Sequence, residues 1–238
     1  TITFWQFWDS GVIRPILDRF EAENPGIKVV MEQQTWQNGR EKILASVAAG
    51  TVPDLCELGS TWFAQFAANG ALVDVTAMAD SLRPQLRLWS AATYGGKLYG
   101  IPWVMGTRAL FYNRALLRQA GLNADFGPTT WSELLAAARK IHNPGAGVYG
   151  FGRNGGERYI LFKKFMPFAW SNGGDVLAPD GKSSVFDSPA NVAALQYYLS
   201  LGDYALTEKQ DVLDQSFKQG KVGLLLSGAW LFKTLPTD

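Results

Sequence analysis

The sequence contains very little cysteine and histidine. Among its 238 residues there is one of each, Cys56 and His142. A single cysteine excludes an internal disulfide and any cysteine-rich metal site, and a single histidine gives no basis for a histidine-based one. We therefore expect no metal ion and no cofactor. Cys56 lies in an apolar stretch typical of a buried thiol, and His142 closes a predicted helix, where partial positive charge suits the helix dipole.

The chain also has no excess of charge and no long apolar run. Its 22 basic and 21 acidic residues give a net charge of +1, whereas a nucleic-acid-binding protein normally shows a basic patch, so we expect no nucleic-acid partner. The longest apolar stretch near the end, residues 222–232, is too short to cross a bilayer. No secretory segment precedes Thr1, so we expect that any signal peptide has been removed.

Apolar and aromatic side chains are plentiful. Hydrophobic residues make up 47% of the chain and charged residues 18%, a composition that provides a core and argues against disorder. The length suits one large domain or two small ones. The nine tryptophans either fill the core or form a stacking surface for a neutral ligand. An aromatic face suits C–H groups, and an indole N–H can donate to an oxygen.

Strand and helix patterns alternate through the first hundred residues. Strands are predicted at 2–7, 27–31 and 55–58, each followed by a helix. This alternation predicts an α/β fold with a parallel sheet, and ligands in such sheets bind beyond the carboxyl ends of the strands. The loops at those ends, each with a tryptophan and small polar groups, are 8–11, 36–39 and 59–62.

A hairpin, a loop and a strand stand at the centre of the chain. Gly95 and Gly96 predict a tight hairpin, because they supply the positive φ angles that a two-residue turn needs. Residues 109–112 predict a short buried strand, after which Asn113 can cap a helix. The intervening loop, 103–108, combines an aromatic, a glycine, a hydroxyl and one cation. We expect this loop to face a ligand.

Helix and strand signals continue through the second half and predict a second α/β unit. A capping box from Thr130 to Glu133 starts one helix, and Ser188 with the following proline starts another. The other predicted segments are a strand at 148–151, a helix at 157–170 and a strand at 222–226. The apolar stripe of the helix after Ser188 consists of Val192, Leu195 and Leu199.

Six sequence blocks, taken in order along the chain, resemble one protein family. Their order and spacing resemble the extracellular solute-binding proteins of family 1, the sugar-binding receptors of ABC importers, among which the maltose-binding branch is best known. The resemblance covers all 238 residues, although family members are considerably longer. The blocks are FEAENPGIKV at 20–29, AAGTVPD at 48–54, GALVD at 70–74, the whole of 94–113, PTTWSEL at 128–134, and FKQGKV at 217–222 with GAW at 228–230.

The resemblance implies a two-lobed periplasmic-binding-protein type II fold. Such proteins have two α/β lobes, each a mainly parallel sheet flanked by helices, which are joined by hinge strands and close around a ligand. Transferred here, residues 1–108 form the N-terminal lobe, and 109–238 form a hinge strand and a partial C-terminal lobe. We expect the second lobe to be incomplete in this chain, its sheet lacking strands that a further segment would supply.

The resemblance also implies a set of ligand-facing residues. Trp230 matches the stacking tryptophan of the second lobe, and Gly228 stands beside it in the same block. Thr61 and Gly106 occupy positions where the maltose-binding branch has carboxylates, so two hydroxyl-binding acids are missing, which argues against maltose as the ligand. The positions matched by the family pattern are Gly59, Thr61, Trp62, Gly106, Thr107 and Trp230.

Other candidates for ligand binding come from their places in the predicted loops. Trp8 and Asp9 follow the first strand, where Asp9 is either a ligand contact or a helix cap. Trp36 stands in a polar loop, and Trp170 lines either the ligand site or the second core. Ser60 either caps a helix or offers its hydroxyl to a ligand.

The leading functional hypothesis is a binding protein without enzymatic activity. It captures a sugar, in our expectation a small oligosaccharide, in a cleft between its lobes and delivers it to the permease subunits of an ABC importer. We expect a monomer that is periplasmic or is anchored by lipid outside the cell.

Two alternatives remain open. One is an anionic ligand, glycerol-3-phosphate or its diesters, because the guanidinium of Arg108 can donate two bonds to such a group and a helix is predicted to start at Ser60 and Thr61. Arg108 could equally pair with a carboxylate or hold a sugar hydroxyl. The other is a carbohydrate-active enzyme, which would need two carboxyl groups flanking one bond. Asp9 and Glu57, the latter within a predicted strand, are the candidates.

Overall fold

The computed structural model describes residues 1–125, 127–157 and 160–235, and the chain divides into two compact units, Thr1–Met105 and Gly106–Asp238. The strands of the first unit are β1 (Ile2–Gln6), β2 (Val29–Gln33), β3 (Leu55–Cys56), β4 (Thr93–Tyr94) and β5 (Lys97–Leu98), and its helices are α1 (Ser10–Glu23), α2 (Gly39–Ala49), α3 (Phe63–Ala68) and α4 (Thr76–Ala79). The strands of the second unit are β6 (Arg108–Tyr112), β7 (Tyr149–Asn154), β8 (Ala205–Glu208) and β9 (Val222–Gly228), and its helices are α5 (Arg114–Gln119), α6 (Trp131–Ile141), α7 (Leu161–Ser171), α8 (Pro189–Ser200) and α9 (Gln210–Lys218).

The first unit contains a parallel three-stranded sheet in the order β2-β1-β3, which confirms the predicted α/β alternation. Strand β2 starts at Val29, two residues later than predicted. The backbone N–H of Ile27 is held in a turn by the carbonyl of Asn24. The apolar residues of the predicted strand therefore begin inside the turn that ends α1.

Strand β3 is shorter than predicted and ends at Cys56. The backbone N–H of Glu57 still donates to the carbonyl of Trp5, at 2.8 Å, and the ladder ends there. The prediction that Glu57 lies within a strand is therefore wrong. Its side chain stands just beyond the carboxyl end of the sheet, where parallel sheets place their functional groups.

The predicted hairpin forms between β4 and β5. Gly95 and Gly96 adopt φ angles of 55° and 78°, the left-handed values that this two-residue turn requires. Asn113 caps α5 as predicted, since its side chain accepts from the N–H of Leu116 at 3.1 Å. Strand β6 is less buried than predicted, with only Phe111 buried among its five residues, because β6 lies at the edge of the second sheet.

The second unit contains a four-stranded sheet in the order β6-β9-β7-β8, parallel except for β6. Strand β9 is buried on both faces. Leu224 packs in a cluster with residues of α5, α6, α7 and α8, and Leu225 packs in another with Leu213 and Phe217 of α9. Strand β9 therefore packs against helices on both faces of the sheet, with α5, α6, α7 and α8 on one side and α9 on the other.

The helix boundaries of the second unit match the prediction in part. Thr130 forms the predicted capping box of α6, and Ser188 caps α8. The predicted helix 157–170 is observed from Leu161, and its residues 158 and 159 lie outside the described part of the chain. The sequence pattern does not predict β8 or α9, because most of α9 is polar and few of its residues face the core.

The apolar stripe predicted for α8 does not face the core. Val192, Leu195 and Leu199 are each about half exposed. Ala194 and Tyr198, which lie four residues apart on another side of the helix, are buried instead. Apolar residues occur all round this helix, so periodicity alone selects the wrong face.

Candidate functional site

A carboxylate lies among the aromatic side chains at the end of the first sheet. Glu57 Oε2 accepts from the backbone N–H of Phe7 at 2.8 Å, and Oε1 accepts from the indole N–H of Trp8 at 3.2 Å. Burial raises the pKa of Glu57, while hydrogen bonds from Phe7, Trp8 and Trp103 act in the opposite direction. Both oxygens of this carboxylate are thus engaged by the protein, which fixes the ring of Trp8.

Two further tryptophans pack on Phe7 in the first unit. Trp36 stacks on its ring, with centroids 4.2 Å apart, and is 37% exposed. Trp62 contacts the same ring edge-on at 5.8 Å and is only 5% exposed. A Cβ at Gly59 would lie 3.1 Å from the Trp62 ring, so Gly59 gives this ring room. The Trp62 side chain is therefore part of the hydrophobic core, whereas the Trp36 side chain is partly exposed to solvent.

The small polar candidates of the first unit differ in their local roles. Asp9 caps α1, since its carboxylate accepts from the N–H of Gly11 at 2.8 Å. Ser60 and Thr61 are exposed and do not cap a helix. Helix α3 starts at Phe63 with Trp62 at the capping position and no side-chain capping bond. The hydroxyls of Ser60 and Thr61 are therefore not used in capping.

The second unit brings Arg108, Gly228 and Trp230 together. Arg108 pairs with Gly228 across the β6–β9 ladder, and its guanidinium carbon lies 4.9 Å from the centre of the Trp230 ring. A Cβ at Gly228 would lie 1.8 Å from that ring, so glycine is required for the observed packing. Trp230 is 36% exposed, which leaves part of the ring open to a ligand.

Asp214 of α9 binds the nitrogen of the Trp230 ring. Its Oδ2 accepts from Trp230 Nε1 at 2.9 Å. Its Oδ1 accepts from Gln210 Nε2 at 2.7 Å and from the hydroxyl of Ser227 at 2.9 Å. Asp214 therefore links α9, the end of β9 and the candidate stacking ring.

Lys164 of α7 adds a buried cation to this group. The side chain is 2% exposed, and Nζ donates to the carbonyl of Leu226 at 2.7 Å. Burial, followed by the charge of Arg108, lowers the pKa of Lys164 to about 7. The pKa of Arg108 is also lowered by burial, an effect that the charge of Asp214 opposes. Among the described residues, Arg108 Nε has no hydrogen-bond partner although it is buried.

The remaining candidate residues of the second unit are exposed to solvent, and one of them, Trp170, has a polar partner different from that of Trp230. Gly106 and Thr107 are exposed, and Arg108 donates to the carbonyl of Thr107 at 3.1 Å. Trp170 stands six residues beyond Lys164 in α7 and is 56% exposed. Its indole N–H donates to Asp175 at 3.2 Å, so its polar contact is with a different carboxylate from that of Trp230.

Sequence reasoning missed several groups of this site. Lys164 carries a weak signal, since it and Lys163 interrupt a mostly apolar helix. Asp214 carries none, because it lies on a mostly polar helix that the pattern did not predict. Within the described residues no three His, Cys, Asp or Glu side chains converge as metal ligands would. In the same part of the chain, each helix is too short or too polar to cross a membrane.

The sequence from residue 9 to residue 235 matches the family model of the bacterial extracellular solute-binding proteins. The chain belongs to this family. The match confirms the family predicted from the six sequence blocks. Members of this family are binding proteins, and solved members have the type II periplasmic-binding-protein fold, which this solute-binding protein shares over the part that it covers.

Alignments with individual relatives show how much of their length this chain covers. A Brucella abortus (strain 2308) protein, whose name describes it provisionally as a binding protein, is 34% identical over 223 residues, covering 89% of this chain and 53% of that protein. The sn-glycerol-3-phosphate-binding periplasmic protein of Escherichia coli (strain K12) is 26% identical over 245 residues, covering 92% of this chain and 54% of that protein. An ABC transporter solute-binding protein of Thermotoga lettingae, solved with α-D-tagatose, gives a TM-score of 0.91 at 29% identity, covering 98% of this chain and 63% of that one. This solute-binding protein thus spans about half the length of the curated relatives it matches.

Proposed function

We propose that this chain is the ligand-recognising part of an extracytoplasmic receptor that captures a sugar for an ABC importer. The observation that carries the proposal is the Trp230 ring, held by Asp214 through its nitrogen and left 36% exposed. Membership of the solute-binding family and the tagatose complex of the Thermotoga lettingae relative support a sugar as the ligand class.

The proposed mechanism divides apolar and polar recognition between different residues. The exposed part of the Trp230 ring would stack on the C–H face of a sugar, as the ring of Trp36 would in the first unit. The ring nitrogens of Trp8 and Trp230 already donate to carboxylates. Sugar hydroxyls would therefore be bound by other groups, and we propose Asp9, Ser60, Thr61, Thr107 and Arg108. Gly106 would allow close approach, while Gly59 and Gly228 give room to the Trp62 and Trp230 rings.

The same contacts argue against an enzyme. Hydrolysis of a glycoside usually needs two carboxyl groups flanking one bond, one of them able to donate a proton. Both oxygens of Glu57 and both oxygens of Asp214 are engaged by donors of the protein. We propose that these carboxylates orient side chains and perform no chemistry.

A titration with a ligand panel tests the sugar proposal. Tryptophan fluorescence and calorimetry would follow binding of D-tagatose, maltose, a small oligosaccharide and sn-glycerol-3-phosphate, on this chain and on a version extended past Asp238. We expect saturable binding of one sugar class, lost in Trp230→Ala. Binding of no sugar by either protein, or an unchanged affinity in Trp230→Ala, would contradict the proposal.

The anionic ligand remains a second candidate because of the cations in the second unit. Burial, followed by the charge of the nearby Arg108, lowers the pKa of both Lys163 and Lys164. The buried Nε of Arg108 has no hydrogen-bond partner among the described residues. The Escherichia coli relative that binds sn-glycerol-3-phosphate supports the same chemistry.

Replacing Arg108 tests the anionic candidate. Arg108→Met keeps much of the side-chain length and removes the charge, so it should abolish binding of sn-glycerol-3-phosphate while sparing a neutral sugar. Arg139→Met, at the exposed end of α6, is the matched control. An unchanged affinity for sn-glycerol-3-phosphate in Arg108→Met would remove this candidate.

We further propose a monomer that works outside the cytoplasm, either free in a periplasm or anchored by lipid, with the permease subunits of an ABC importer as partners. Family membership supports an extracytoplasmic location. Cell fractionation would test the location, and recovery of permease subunits with the purified protein would test the partner. Recovery of the protein with the cytoplasmic fraction would contradict this proposal.

A further inference from the structure

The Trp230 ring is confined on three sides by groups of its own unit. Asp214 accepts from the ring nitrogen, Arg108 lies over the ring, and the backbone of Gly228 lies so close that a Cβ would overlap with ring carbons. A recognition group that is held in one orientation before the ligand arrives loses little entropy on binding. The three contacts therefore prepare the ring for stacking.

Asp214 is itself held by two buried groups. Ser227, which donates to its Oδ1, is completely buried, and Gln210, the other donor, is buried as well. The hydroxyl of Ser227 also accepts from Gln210 Nε2 at 3.2 Å. A carboxylate held by two buried donors has little freedom to follow a moving ring.

We infer that Asp214 is a positioning residue, which sets the rotation of the Trp230 ring and thereby the face that the ligand meets. The inference rests on the proposed function, in which Trp230 stacks on a sugar. Because the ring nitrogen is already bonded, this position selects ligands that present a C–H face. An oxygen acceptor placed at the ring edge would find no free donor there.

The indole resonances of the protein test this inference without a ligand. Trp230→Phe identifies the Trp230 N–H signal in a nitrogen–proton correlation spectrum. In Asp214→Ala that signal should move upfield and exchange faster with water, because its acceptor is gone. Asp214→Asn keeps an oxygen acceptor and should restore most of the wild-type position. An unmoved Trp230 signal in Asp214→Ala would overturn the inference.

A double-mutant cycle tests the consequence for binding, with D-tagatose and maltose as probes in calorimetry. Asp214→Ala should weaken the affinity of the wild-type protein about tenfold, within the coupling typical of residues in contact. In the Trp230→Phe background the same change should cost less than about twofold, because Phe has no N–H to lose. Asp211→Ala, an exposed carboxylate on the same helix, is the control and should change neither.

The outcomes separate the inference from the proposed function. Equal losses from Asp214→Ala in the wild-type and Trp230→Phe backgrounds would mean that Asp214 acts on the fold rather than through the ring, and would overturn the inference. If the wild-type protein binds neither sugar, the sugar proposal fails for these probes. The indole spectrum alone then decides whether Asp214 orients Trp230.

Discussion

Tryptophan side chains in this protein are held through their ring nitrogens as well as through their faces. Among the described residues, several indole N–H groups donate to side-chain oxygens of the protein. They include Trp8 with Glu57, Trp131 with Ser171, Trp170 with Asp175, and Trp230 with Asp214. A buried or half-buried indole normally finds such a partner. A ligand at any of these rings therefore meets a face, and its polar groups must be bound elsewhere.

Gly228 leaves no room for a side chain beside the Trp230 ring. Its φ of −91° is an extended value open to any residue, so Gly228→Ala adds no backbone strain, but the new Cβ must displace the Trp230 ring. We expect affinity for the probe sugar to fall about tenfold or more, equivalent to about 1.4 kcal/mol or more. Calorimetry would measure it, with Gly145→Ala as control because a Cβ there would meet only Asn143 Oδ1, at 3.7 Å, an ordinary contact. Unchanged affinity in Gly228→Ala would contradict the prediction.

The second prediction concerns Lys164, whose pKa burial lowers to about 7. Below that pH the side chain is charged in both folded and unfolded protein, and burying the charge reduces the free energy of unfolding. Between about pH 7 and about pH 10 the folded protein releases its proton first, so the free energy of unfolding should rise with pH. Lys164→Met should lack this rise.

Urea unfolding of both proteins across this pH range measures the difference. The charged groups that act on Lys164 are present in both proteins, so the comparison isolates the contribution of the lysine. These groups are Arg108, Lys163, Asp214 and Glu157. Parallel curves for the wild type and Lys164→Met would show that Lys164 keeps its ordinary pKa in the fold.

For most interactions at the site, the sequence pointed to only one of the two residues that make the contact. Trp8 was predicted from its place after a strand and Trp230 chiefly from the family resemblance, whereas Asp214, which binds the second ring, was not predicted. Local pattern finds residues that follow a strand. It does not find a carboxylate sixteen positions away that meets the ring only after α9 has packed on β9. Tertiary contacts of this kind leave no periodic trace in the sequence.

Elements with local causes were predicted well, and those that depend on packing were not. The hairpin at Gly95 and Gly96, the Asn113 cap and the Thr130 capping box follow from turn and cap chemistry within a few residues. The orientation of α8 depends on which of several apolar faces meets the sheet. That choice is made by the whole second core, including Ala194 and Tyr198.

Helix α6 packs closely on strand β7 at Gly150. A Cβ at Gly150 would lie 1.8 Å from the carbonyl oxygen of Ala138, and backbone atoms cannot rotate aside as a side chain can. Gly150→Ala should therefore reduce the free energy of unfolding by about 3 kcal/mol or more, as overpacking of a core does. Urea unfolding would measure this. The matched control, Gly145→Ala, lies in the turn before β7 with no close neighbour, and equal effects of the two changes would show that the clash is relieved.

At the scale of the whole molecule, each unit has hydrophobic clusters of its own. A ligand that binds only the folded protein stabilises it by mass action, by about 2.7 kcal/mol at one hundred times its dissociation constant. We expect the probe sugar to raise the urea midpoint accordingly in the wild type. Trp230→Ala should remove this increase, and Trp89→Phe, in a satellite cluster of the first unit, should keep it. An increase of the same size in Trp230→Ala would contradict the role proposed for this ring.

The pairing of Arg108 with Gly228 across the β6–β9 ladder limits how this solute-binding protein can change in evolution. Side chains at the site can be exchanged one at a time without disturbing the strands. A single-residue insertion or deletion within either strand, however, would turn the following side chains to the opposite face of the sheet and separate the guanidinium from the ring. Descendants of this chain with new ligand preferences should therefore differ in the identity of these residues while both strands keep their lengths.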